Sequence, residues 1–338
     1  MAKQFKPAYR MFQLKRASFY LGVACVLIAV LAFVASLAQR QGLVDHKGLT
    51  LIFQVFLTGL FIWLVSGVLV YIVLVCFVAR ACSSGNYDSS LYWHTHLFPY
   101  LEKHDGKRSI LVAHALADHG VILLTKGLYK QAEEAFLRSY SIFDEFCTAD
   151  NYVFNNLKCS YSSLLINVEQ YDKAVDLLEE VGQSLERTGK SRGFLAILWA
   201  NNLGVIHYRL KNYVQGKTFL EEALFLLSSK KIVPKFILVS VKGNLAKILR
   251  DSGELERADA LYQECYEIAE KSKLLNHSGF VHHFAGHALL KKMMGDLDGA
   301  KKLYSHAIVC GEGKLSPEHK DLIKAKQEYQ ELLEGQAS

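Results

Sequence analysis

The chain is 338 residues long, 51% hydrophobic and 21% charged, with a formal net charge of +6. Its mean hydropathy of +0.13 is high for a chain held wholly in water, so part of it is expected in lipid. Lys3, Lys6, Arg10, Lys15 and Arg16 place five positive charges before residue 17 with no acid among them, which leaves the body near neutral and argues against nucleic acid as a partner.

Residues 1–16 therefore read as a basic tail. Residues 17–38 follow without a charge, and a second apolar run fills residues 49–80, closed by Arg80. Roughly 20 apolar residues cross a hydrocarbon core, so each run is long enough for a transmembrane helix. The loop 39–48 is short, which predicts an antiparallel hairpin. Basic residues before the first run and after the second place the N-terminus and everything after residue 80 in the cytoplasm. The rival reading of the first run is a signal peptide, whose apolar stretch usually spans only about 7 to 15 residues.

Residues 81–107 are expected to be a juxtamembrane linker. Tyr92, Trp93, Phe98 and Tyr100 suit the headgroup zone and equally suit packing onto the first helix that follows. Pro99 predicts an interruption of any helix here. The seven cysteines, at 25, 76, 82, 147, 159, 265 and 310, form no CxxC pair, which fits neither a zinc site nor a disulfide framework and suits a reducing compartment.

Residues 108–312 repeat. Stepping by 42 from Ala132 meets Ala174, Gly216, Ala258 and Ala300. Four residues after these stand Phe136, Leu178, Leu220, Tyr262 and Tyr304. Twelve residues before them stand Gly120, Ser162, Gly204, Ala246 and Ala288, all small. Small residues on two helices permit close approach, so each unit is read as an antiparallel helix pair packed through its two small positions. The pattern resembles the tetratricopeptide repeat, in a long version similar to that of kinesin light chains. The resemblance implies an all-α chain: two transmembrane helices, then a right-handed α-solenoid of about five helix-turn-helix repeats. Ser162 and Glu169 depart from the glycines usual in the family, and Gly216 from alanine. Residues 313–338 are expected to supply a capping helix, with Ser316 as N-cap, Pro317 in the first helical position and Gly335 as the stop.

In the family, the first helix of each pair lines the concave side, where peptides and partner helices lie. Carried over by position, that side would present Asn202, Asn244, Lys247, Arg250 and Lys292, with Arg209 nearby. The asparagines can donate to and accept from a peptide backbone, and the cations favour an acidic side chain or a terminal carboxylate.

The sequence offers little for chemistry. His283 and His287 share a helical face without the glutamate of a zinc-protease motif, so no metal is expected. "CGEGKLS" lacks the first glycine and preceding strand of a phosphate loop. No nucleophile elbow or dinucleotide fingerprint is present, so neither an enzyme nor a cofactor is expected. The resulting expectation is a membrane-anchored scaffold or assembly factor for a protein or peptide. Its alternatives are a receptor for peptide tails and a structural subunit of a membrane complex. Self-association through the solenoid surface is also open.

Overall fold

The computed structural model describes Lys6, residues 87–275 and residues 277–334. The two spans expected at 17–38 and 49–80 lie outside the described residues, as does Gly335. Among the described residues no helix is long and apolar enough to cross a membrane.

The fold is an all-helical repeat solenoid of twelve helices, with no strand among the described residues. Helix α1 spans Tyr87–Asp105. Five hairpins follow: α2 (Ile110–Lys126) with α3 (Tyr129–Phe146), α4 (Tyr152–Asn167) with α5 (Tyr171–Thr188), α6 (Phe194–Arg209) with α7 (Tyr213–Ser228), α8 (Lys235–Asp251) with α9 (Leu255–Lys271), and α10 (Val281–Met293) with α11 (Leu297–Gly311). Helix α12 (Lys320–Glu334) closes the series. The first helix of each pair packs on the first helix of the next, so α2, α4, α6, α8 and α10 form an inner layer.

The turn inside each hairpin repeats as regularly as the helices. Gly127, Glu169, Lys211, Gly253 and Gly295 stand 42 residues apart, and all five have positive φ, between 60° and 86°. This left-handed residue ends the first helix and lets the second fold back beside it. Glycine adopts it freely, whereas Glu169 and Lys211 carry the steric penalty of a side chain there.

Packing within the pairs uses the small positions. Ala132, Ala174, Ala246, Ala258, Ala288 and Ala300 are fully buried, as are the large residues Phe136, Leu178, Leu220 and Tyr304. In α6 and α7 the two backbones themselves come close. A Cβ on Gly204 would lie 2.6 Å from Leu220 Cγ, and one on Gly216 would lie 3.1 Å from the Gly204 carbonyl oxygen. Gly120 likewise leaves room for the Phe136 ring.

Two expectations are corrected. The linker segment contains helix α1, continuous through Pro99. Leu97 and Leu101, on either side of the proline, are buried against the first repeat, and that burial outweighs one missing backbone bond. Helix α12 starts at Lys320, later than Ser316 and Pro317. Residues 316–319 form a turn instead, in which the His319 N–H donates to the Ser316 carbonyl, while the Ser316 N–H is drawn to the Lys126 carbonyl of the first repeat at 2.9 Å.

That last bond joins the two ends of the stack. Lys320 Nζ donates to the Asn167 carbonyl at 3.0 Å and lies 3.5 Å from Glu169 Oε1, both in the second repeat. His319 rests on Gly127. At the other end, Tyr87 of α1 meets His277, just before repeat five, with hydroxyl and Nε2 3.3 Å apart. The solenoid thus bends round until its last segments touch its first.

A polar lumen enclosed by the inner helices

The bend encloses a cavity of about 290 Å³ on the concave side, lined from all five inner helices and from the segment before α12. Helix α6 contributes Asn201, Asn202 and Arg209, and α8 contributes Ser240, Asn244 and Lys247. His282 enters from α10, and His319 and Asp321 from the C-terminal segment. A smaller space of about 100 Å³ continues from it, sharing Arg209, Lys247, His282 and Asp321.

Of the expected groove residues, Asn202, Arg209, Asn244 and Lys247 line the larger cavity and Arg250 lines the smaller one. Asn244 Nδ2 donates to Asn201 Oδ1 at 3.0 Å, which joins neighbouring inner helices across the lumen wall. Lys247 has no hydrogen-bond or ion-pair partner among the described residues. Burial pushes its amine down to about 7, helped by the cations Arg209 and Arg250 and opposed by Asp321. Burial also holds His282 and His319 below the usual imidazole range, so both are neutral at pH 7. Among the described residues the larger cavity therefore has two basic groups, Arg209 and Lys247, against one carboxylate, Asp321.

Three expected groove residues have other roles. Asn202 is buried, and its Nδ2 lies within hydrogen-bond distance of the Cys159 carbonyl at 2.8 Å and of the Ser162 and Ser163 hydroxyls, so it ties α6 to α4 and is not free to donate to a peptide. Arg250 is only 6% exposed. Its Nε donates to Asp251 at 2.6 Å and one terminal nitrogen to the Gly286 carbonyl at 3.1 Å, so it pins α10 to α8. Lys292 lies in the last turn of α10, outside the lining of either space. Asn202 still lines the larger cavity and Arg250 the smaller, so position places both on the concave side, but it does not show that their polar groups are taken up by the neighbouring inner helices.

Sequence reasoning missed Asn201, Ser240, His282, His319 and Asp321. Asn201 adjoins a position that was singled out. Asp321 and His319 belong to no repeat, and nothing in the 42-residue period signals that the C-terminal segment returns to the first two units. The histidines of α10 diverge. His283 is buried where a Cβ on Gly243 would clash with it, and His287 stacks on Tyr262 and bonds Asp259 at 2.8 Å. Among the described residues no group of three potential ligands is placed to hold a metal ion.

Residues 238–272, covering most of α8 and all of α9, match the tetratricopeptide repeat family. No curated protein matches the chain in sequence. Similar solved structures include NprR in complex with its cognate peptide NprX, at 13% identity over 94% of this chain and 89% of that one, with a TM-score of 0.60. A Rap protein complexed with competence and sporulation factor matches at 11% identity over 77% of this chain and 74% of that one, with a TM-score of 0.53. A putative kinesin light chain with nearly identical TPR-like repeats, from Podosopora anserina, matches at 15% identity over 61% of this chain and 96% of that one, with a TM-score of 0.42. At these identities the likeness is one of fold.

Proposed function

We propose that the protein is a membrane-anchored interaction scaffold whose lumen holds a protein or peptide partner through an acidic side chain or terminal carboxylate. Lys247 carries this reading. A half-buried amine, without an ion-pair partner among the described residues and beside the second cation Arg209, gains most from an incoming anion. The Asn201–Asn244 pair and the Ser240 hydroxyl supply neutral donors and acceptors along the same wall, the complement of an extended backbone. NprR and Rap, two neighbours in fold, were each solved with a bound partner, a peptide in the case of NprR, which supports a protein or peptide as the partner here.

The hairpin at 17–38 and 49–80 anchors the scaffold, with the N-terminus and repeat domain in the cytoplasm. Confinement to a surface raises encounter with other membrane-bound partners without any new contact. Protease added to intact cells should leave the repeat domain uncut; its digestion from outside overturns this orientation.

The partner is tested by cross-linked co-purification of the full-length protein from its native membrane, beside a variant with Arg209→Gln and Lys247→Gln. Both changes leave the buried Arg250 in place, so the stack stays folded. Loss of the captured partner in the variant, with helicity unchanged, supports the reading. Identical capture by both proteins moves the function to the outer helices or the spans.

A further inference from the structure

The lumen already contains an acid of its own. Among the described residues Asp321 is the only carboxylate lining the larger cavity, and it also reaches the smaller one, in both cases with Arg209, Lys247 and His282. Its Oδ2 lies 4.0 Å from His282 Nδ1, and it counteracts the loss of the Lys247 proton. Asp321 comes from the first turn of α12 and so reaches the lumen only because the C-terminal segment crosses to the start of the stack.

That segment is held unequally on its two sides. Toward repeat five, Leu322, Ala325 and Leu332 are buried in a continuous apolar core. Toward repeats one and two the contacts are mostly polar: the Ser316 N–H on the Lys126 carbonyl and the solvent-exposed contacts of the Lys320 ammonium with the Asn167 carbonyl and Glu169, with the buried His319 ring resting on Gly127. Exposed polar contacts contribute little individually, whereas buried apolar area is costly to lose. The side facing the lumen is the side that can open while α12 from Leu322 onward stays in place.

We propose that Asp321 is a tethered competitor for the lumen's anion seat, and that an acidic ligand binds by displacing residues 316–321 from the first two repeats. This rests on the lumen being the binding site. A tethered carboxylate competes at high effective concentration, so the lumen is selective for ligands that present more than a single weak anion. The device also couples occupancy to shape, because a bound lumen releases the contact that joins the ends of the stack.

The test uses the full-length chain in mild nonionic detergent, with fluorescein-labelled hexaglutamate as the probe, hexalysine as the control, and fluorescence anisotropy as the readout. Asp321→Asn keeps the side-chain shape and removes the charge, and it should tighten hexaglutamate binding about tenfold, the effect of one nearby charge in a partly screened site. Lys247→Gln should abolish binding in both backgrounds. Wild-type binding that depends on Lys247 but is no tighter in Asp321→Asn overturns the competitor and leaves the lumen reading standing. Binding that ignores Lys247, or no binding by either protein, overturns both. Hydrogen exchange gives a second readout: the Ser316 amide should exchange faster when saturating hexaglutamate is present. Unchanged protection with the probe bound overturns displacement.

Discussion

Lys247 connects the lumen to pH. In the folded chain its amine releases its proton near pH 7, against an ordinary value of 10.5. Between those values the unfolded chain holds the extra proton, so the contribution of this residue to stability rises with pH across the window and is least favourable below pH 7. Cys159 and Cys265 act in the opposite sense at higher pH, because burial pushes both thiols up to about 12 and unfolding lets them ionise from about pH 8.5. The clean interval is therefore pH 6 to 8. Urea midpoints of the wild type should rise relative to those of Lys247→Gln across it, and parallel curves would mean that the amine is well hydrated. At the same scale, Arg250 illustrates a basic residue whose position resembles that of a ligand contact while its bonds are internal. Arg250→Ala should destabilise the fold by about 2–4 kcal/mol, since it strands the Gly286 carbonyl and removes a partner of Asp251. An unchanged melting temperature would refute that role.

At the scale of helices and turns, the regular spacing was legible because each repeat solves the same packing problem. The small position at Ala132 and its equivalents, and the large residues four positions later, can be read without coordinates. What a helix needs locally and what its neighbour permits can nevertheless conflict. By propensity alone, alanine at Gly216 would favour α7 by about 1 kcal/mol. The approach of 3.1 Å to the Gly204 carbonyl reverses the sign, because a backbone atom cannot move aside as a side-chain tip can. Gly216→Ala should be destabilising by about 1–2 kcal/mol net, measured by chemical denaturation. The turns give the converse case. Lys211 holds φ at 60° where three of the other repeats use glycine, so Lys211→Gly should stabilise by about 1 kcal/mol, and Gly253→Ala should cost a similar amount. Pro99 marks another limit of local reading: a backbone rule predicted a break, and apolar contacts on both sides of it prevailed.

At the scale of the molecule, the sequence made the number of units and their order legible but not their closure. The curvature of a stack accumulates from small rotations at every interface, and no single residue records the sum. For that reason Asn244 and Lys247 could be anticipated as lining residues, while Asp321 and His319 could not. Closure also changes how such a stack comes apart. An open array of repeats behaves like a rope and frays from its free ends, where terminal units lack a neighbour on one side. Here Tyr87 meets His277 and Ser316 meets Lys126, so the terminal units are gripped by the opposite end. The molecule is a hoop with a clasp. Under denaturant or a pulling force the clasp should part first, at the weak polar contacts around Ser316 and Lys320, and only then should repeats be shed in sequence.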